Sequence, residues 1–130
     1  MTTRNIRQTA TFNASPHDVY EALLDAKKHA AFTGGKATIS RKVGGKFSVF
    51  DGYAEGVNLE LVPDEKIVQS WRAGDWPAGV YSKAIISLKA VAGGTRLTFT
   101  QTGVPEDQYA DISQGWRDYY WTPMKEMLGK

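Results

Sequence analysis

Apolar and polar residues alternate along Asn5-Ile-Arg-Gln-Thr-Ala-Thr-Phe12, with β-branched residues among them. A period of two predicts a half-buried strand over residues 5–12. The period then changes. Ser15 is a good N-cap, Pro16 suits the first helical position, and Asp18 favours the first turn. Val19 with Leu23 and Tyr20 with Leu24 recur at helical spacing. Asp25 reads as the cap of a second short helix, 26–32, which ends at Gly34-Gly35. Beyond it the period returns to two, and strands are predicted over 36–43, 45–50, 53–62, 66–72, 80–91 and 95–101. Asp51-Gly52 and Gly93-Gly94 are the turn signals, and Pro63-Asp64 closes the third of these strands. Ser82, Ala84, Ile86, Leu88 and Ala90 share one face, as do Leu97, Phe99 and Gln101. The last stretch, 106–128, predicts one long helix, with Ile112, Trp116, Tyr119 or Tyr120, Pro123 and Met127 at helical spacing. Glu106, Asp107 and Asp111 near its start and Lys125 and Lys130 near its end suit the helix dipole, and Pro123 should kink it.

Sequential strands with hairpin-length turns make a curved antiparallel sheet whose apolar face must be covered. Only the C-terminal helix is long enough to cover it. The expected fold is therefore α+β, a sheet wrapped around a long C-terminal helix, with a cavity between the two. At 130 residues, 42% of them hydrophobic, the chain suits one domain, 1–130, with no linker or repeat. The absence of cysteine excludes disulfides, thiolate metal sites and cysteine nucleophiles. Sixteen basic against fourteen acidic residues give a net charge of +2, so no nucleic-acid partner is expected. Residues 1–12 lack the apolar core of a signal peptide, and no apolar run approaches the roughly 20 residues of a membrane helix. The expectation is a cytoplasmic protein with no membrane contact.

Motifs for nucleotide phosphates or a serine nucleophile are missing. His17 and His29 are expected at the surface, outside the cavity, and Asp51 belongs to a turn. No catalytic residue, metal ligand or cofactor is therefore expected. Trp71 shares the inward face of its strand with Ile67 and Gln69, and Trp116 lies on the inward stripe of the last helix. Gln69 and Gln101 fall on inward faces, and a buried amide needs partners. They either bind water at the cavity mouth or orient a bound polar group. Trp71, Phe99, Trp116 and Tyr120 would wall such a cavity, with Gln69 and Gln101 as its anchors. Charge is uneven: no acidic residue falls between Asp25 and Asp51, where Lys27, Lys28, Lys36, Arg41, Lys42 and Lys46 lie. A basic patch of this kind steers anionic partners.

Gly44-Gly-Lys-Phe47, Asp51-Gly52, Gly56, Leu61-Val-Pro63, Ile67-Val68, Trp71-Arg72, Trp76-Pro77-x-Gly79, Gly103-Val-Pro105 and Gly115-Trp116-x-x-Tyr119-Tyr120 occur in this order. The series, spanning about residues 6–128, resembles the C-terminal domain of the activators of the heat-shock protein 90 ATPase. That domain belongs to the START-like superfamily, with the birch-pollen allergen and the polyketide cyclases. The resemblance implies a helix-grip fold and a non-enzymatic, co-chaperone-like binding protein. Its implied partner is a heat-shock protein 90-type chaperone, met by Lys27, Lys28, Arg41, Lys42 and Lys46. The alternative is a protein that binds a small hydrophobic ligand in the cavity under the last helix. A cyclase- or hydrolase-like enzyme fits least, for want of an internal histidine or a carboxylate pair. Cavity volume separates the first two: several hundred cubic ångströms favours the ligand binder, and a filled core favours surface docking.

Overall fold

In the computed structural model, which describes residues 2–129, β1 (Thr3–Phe12) turns Ile6, Gln8, Ala10 and Phe12 inward. Lys130, expected to complement the last helix dipole, lies outside the described residues. Helix α1 (Pro16–Leu24) starts where expected, with Ser15 Oγ accepting the Asp18 N–H at 3.1 Å. Asp25 caps α2 (Ala26–Thr33), accepting the Lys28 N–H at 3.0 Å. That bond holds the Asp25 carboxyl below its ordinary pKa. Gly34, with φ of 80°, ends α2 in the left-handed conformation that glycine adopts freely.

The strands that follow are β2 (Thr38–Ile39), β3 (Lys46–Val49), β4 (Ala54–Val62), β5 (Lys66–Ala73), β6 (Ser82–Val91) and β7 (Gly94–Pro105). All pair antiparallel in one seven-stranded sheet, ordered β1-β7-β6-β5-β4-β3-β2. β1 and β2, consecutive strands in the chain, form the two ends of this order, and α1 and α2 connect them. Ile67, Trp71, Ala84, Ile86, Leu97 and Phe99 face inward from the curved sheet and form the core with α1 and the last helix.

Three details differ from the sequence reading. The strand predicted over 36–43 shrinks to the two residues of β2. Buried Asn58 causes this, because its Nδ2 donates to Ser40 O at 2.7 Å and to Lys42 O at 3.1 Å. Carbonyls that a longer strand would offer to a ladder are committed to a side chain. The β3–β4 connection holds one turn more than the sequence reading gave it. The Tyr53 N–H donates to Phe50 O at 3.1 Å, with Asp51 and Gly52 central as the sequence indicates, and the Gly52 N–H donates to Val49 O at 3.2 Å in an overlapping turn centred on Phe50 and Asp51. Both have positive φ, 54° and 58°, as a primed turn requires. Asp51 keeps the turn role, and its carboxylate also accepts the Lys36 N–H at 3.1 Å.

The third difference lies in the last helix. A 3₁₀ turn (Glu106–Gln108) leads into α3 (Tyr109–Trp116), a π-helical turn (Arg117–Trp121) and α4 (Thr122–Leu128). In the π turn the Thr122 N–H bonds to Arg117 O, five residues back. Pro123 has no N–H, and its ring crowds the carbonyl of Tyr119 four residues earlier. The irregularity expected at Pro123 is thus taken up one turn before it, as a widening of the helix.

Candidate functional site

Two buried glutamines hold the last helix against the sheet. Gln101 on β7 is 0% exposed; its Nε2 donates to Ser82 Oγ at 2.8 Å and its Oε1 accepts the Trp116 indole N–H at 2.8 Å. Gln8 on β1 does the same one layer away. Its Nε2 donates to Ser113 O at 2.8 Å and to Ser113 Oγ at 3.1 Å, while its Oε1 accepts the Trp121 N–H at 2.7 Å. In a regular α-helix, residues five apart point about 140° away from each other. The π turn instead brings Trp116 and Trp121 to the same side, with ring centroids 5.6 Å apart and planes within 20°. The sequence reading passed over Gln8, although its place between Ile6 and Ala10 in the alternation marks it as inward.

His29 departs most from expectation. It is 2% exposed, and its Nε2 lies 2.8 Å from Tyr120 Oη. Its ring packs against Phe32 and Phe50 at centroid distances of 5.1 and 5.9 Å. Burial lowers its pKa to about 4 and raises that of Tyr120. α2 is too short for one inward histidine to be told from an outward one by spacing. His17, in contrast, is exposed and pairs with Asp64 at 3.0 Å.

Gln69, Trp71, Trp116 and Tyr120 meet, with His29, around one internal cavity of about 20 Å³. That is room for about one water molecule. The half-buried Gln69 donates to Asn58 Oδ1 at 3.0 Å. Phe99 and Gln101 do not line the cavity. Phe99 packs on Trp116 with centroids 4.3 Å apart, and the Gln101 amide has the two protein partners given above. The space between sheet and helix is filled by aromatic rings.

Outside this filled core, an open groove of about 540 Å³ runs between the β3–β4 turn and the last helix. Phe50, Tyr53, Ile112 and Tyr119 form its apolar walls, and Asp111 and Asp118 are its charged residues. Tyr53 and Tyr119 are 46% and 58% exposed. The Tyr53 hydroxyl points to Asp75 Oδ1 at 3.5 Å, and its pKa is raised by burial and by the Asp75 and Asp111 carboxylates.

The basic residues lie elsewhere. Lys27 and Lys28 are exposed on α2, Arg41 and Lys42 on the β2–β3 connection, and Lys46 at the start of β3. Arg41 pairs with Glu21 of α1, and both Lys28 and Arg41 act electrostatically on Asp25, which places that connection beside the α1–α2 junction. Among the described residues, Lys27, Lys28, Lys42 and Lys46 make no ion pair.

An antiparallel sheet closed around a C-terminal helix, with two short helices joining its edge strands, defines a helix-grip protein of the START-like class. The family described as "Activator of Hsp90 ATPase homolog 1-like protein" matches residues 13–129, and the chain belongs to that family. It is 37% identical over 118 residues to the activator of 90 kDa heat shock protein ATPase homolog of Dictyostelium discoideum, covering 89% of this chain and 30% of that protein. It is 33% identical over 119 residues to the human activator homolog 1, covering 92% of this chain and 35% of that protein. The chain thus spans about a third of the curated relatives' length. The crystal structure of an Hsp90 activator from Plasmodium falciparum superposes with a TM-score of 0.89 at 27% identity, covering 96% of each chain.

Proposed function

We propose that this chain is a non-enzymatic binding domain that docks on an Hsp90-type chaperone and raises its ATPase rate. Membership of the activator family across nearly the whole chain carries this reading. The filled interior supports it over the ligand-binding alternative, since about 20 Å³ cannot house a hydrophobic molecule of ordinary size. Lys27, Lys28, Lys42 and Lys46 form the docking surface because their charges are not committed to ion pairs within the described residues. Arg41 contributes by position, its charge being shared with Glu21. The reading also carries a cytoplasmic location, with the chaperone; among the described residues no helix is long and apolar enough to cross a membrane.

The test combines ATPase stimulation with thermal melting of a variant in which Lys27, Lys28 and Lys42 are all changed to Glu. Stimulation should fall, and association of the parent should slow as salt rises, because exposed charges are screened beyond about 8 Å at physiological ionic strength. Melting should barely move, since surface substitutions rarely shift stability by more than about 0.5 kcal/mol. Undiminished stimulation by the variant would remove the basic surface from the account. A parent that neither binds nor stimulates a chaperone would end the proposal.

A further inference from the structure

The open groove has a character that the basic surface does not explain. Among the described residues all of its charge is negative: Asp111 and Asp118 line it, and no Lys, Arg or His does. Its walls are aromatic, and two of the rings, Tyr53 and Tyr119, are about half exposed. Exposed aromatic faces beside carboxylates suit a cation, which a ring face attracts within about 6 Å of its centroid.

Local geometry maintains the groove at some cost. Phe50, on its rim, is a bulky residue held at a φ of 54°, a conformation uncommon for any residue with a side chain and most strained for large ones. Its ring meets those of Tyr119 and Tyr120 at centroid distances of 5.9 and 5.6 Å. On the opposite wall, the π turn directs Tyr120 and Trp121 inward and leaves Tyr119 outside. Trp71 lies in the floor, 4% exposed, and its indole N–H has no acceptor among the described residues.

The occupant must be shallow. Beneath the floor lies only the cavity of about 20 Å³, so an apolar tail cannot pass into the interior. A free small molecule would keep much of its surface wet, whereas ligand sites usually bury 70–90% of it. A side chain delivered by a larger partner does not need such enclosure, and its backbone brings carbonyl acceptors. We propose that this groove receives a Lys or Arg side chain, flanked by apolar residues, from a segment of the protein partner. The proposal rests on the docking reading above for the partner's identity. It adds a second contact of opposite sign to the basic surface, so the partner is held at two electrostatically distinct places.

A short blocked peptide of alternating leucine and arginine serves as the probe, with a leucine–glutamate peptide as its control, and ring and backbone NMR shifts as the readout. The arginine peptide should shift Tyr53, Ile112 and Tyr119, more weakly as salt rises, and the glutamate peptide should not. Asp111→Asn and Asp118→Asn should each weaken the arginine peptide by roughly threefold, in keeping with exposed charge pairs, and Tyr119→Ala should weaken it by a similar factor. All three positions are exposed, so the variants should melt with the parent. Equal binding of both peptides, shifts elsewhere on the molecule, or affinities unchanged by the Asn variants would overturn the groove proposal. Those results are read without any chaperone. A parent that binds the arginine peptide in the groove but fails to stimulate a chaperone would leave this proposal standing and end the docking reading instead.

Discussion

Protonating His29 would place a charge among Phe32, Phe50 and Tyr120 with no counter-ion in contact. Its pKa of about 4 in the folded chain lies below the ordinary 6.5, so the unfolded chain takes up the proton first. The sign follows. The His29 contribution is undiminished above pH 6.5, falls as pH drops towards 4, and levels off below that. The full loss is roughly 3–4 kcal/mol, from a difference of 2.5 pKa units at about 1.4 kcal/mol each. Urea unfolding at a series of pH values should show this fall in the parent, and His29→Phe should remove most of it. An equally steep fall in the variant would assign the effect to another group. The glutamine clamps can be separated from ring packing at Trp116. Trp116→Ala should destabilise by about 3–5 kcal/mol. Trp116→Phe keeps an aromatic ring but leaves Gln101 Oε1 buried without its donor, and should still lose about 1–3 kcal/mol. A Phe variant as stable as the parent would mean that the amide is not what holds the helix.

Among the elements, the β4–β5 pair leaves the least freedom. A Cβ on Gly56 would stand 1.8 Å from Ser70 O and 2.9 Å from Phe47 Cε2. A backbone oxygen cannot rotate away, so Gly56→Ala should destabilise by at least about 1–3 kcal/mol, measurable as a lower denaturation midpoint with unchanged slope. Gly34→Ala meets nothing within 4 Å and is strained only by its φ of 80°, so it should be the milder change. Strands β1 and β4 to β7 were legible from alternation, imperfect in β4 and β5, together with the turn signals that bound them. The caps at Ser15 and Asp25 were legible because capping chemistry is local. What stayed hidden depends on distant partners. Asn58 shortens β2 from across the sheet, and the π turn puts Trp116 and Trp121 together at a spacing that neither a period of two nor one of 3.6 contains. Of the candidate site, Gln69, Trp71, Trp116 and Tyr120 were found from their inward faces. His29 was missed because its role appears only when the last helix is in place, whereas Gln8 was legible as an inward residue and only its partners Ser113 and Trp121 were hidden.

At the scale of the whole molecule, the ring-filled interior leads to a negative expectation. A ligand that binds only the folded state raises the melting temperature with its concentration. A panel of fatty acids, sterols and flat aromatic compounds should therefore leave melting unmoved, and a saturable rise with any of them would restore the interior as a binding site. The clamps also span the chain: Gln8 meets Ser113 and Trp121 across sequence separations of 105 and 113 residues. Strand β1, made first, pairs along its length with β7. Folding dominated by such non-local contacts is slow, since loop closure precedes any reward. On the ribosome, the chain emerges one end first, and nearly everything must be out before the sheet can close on its helix. A nascent chain halted before Ile112 would lack both tryptophans of the clamp and would present Leu97, Phe99 and Trp71 to solvent. The inward face of the sheet therefore stays without its covering helix until the last stretch of the domain has emerged.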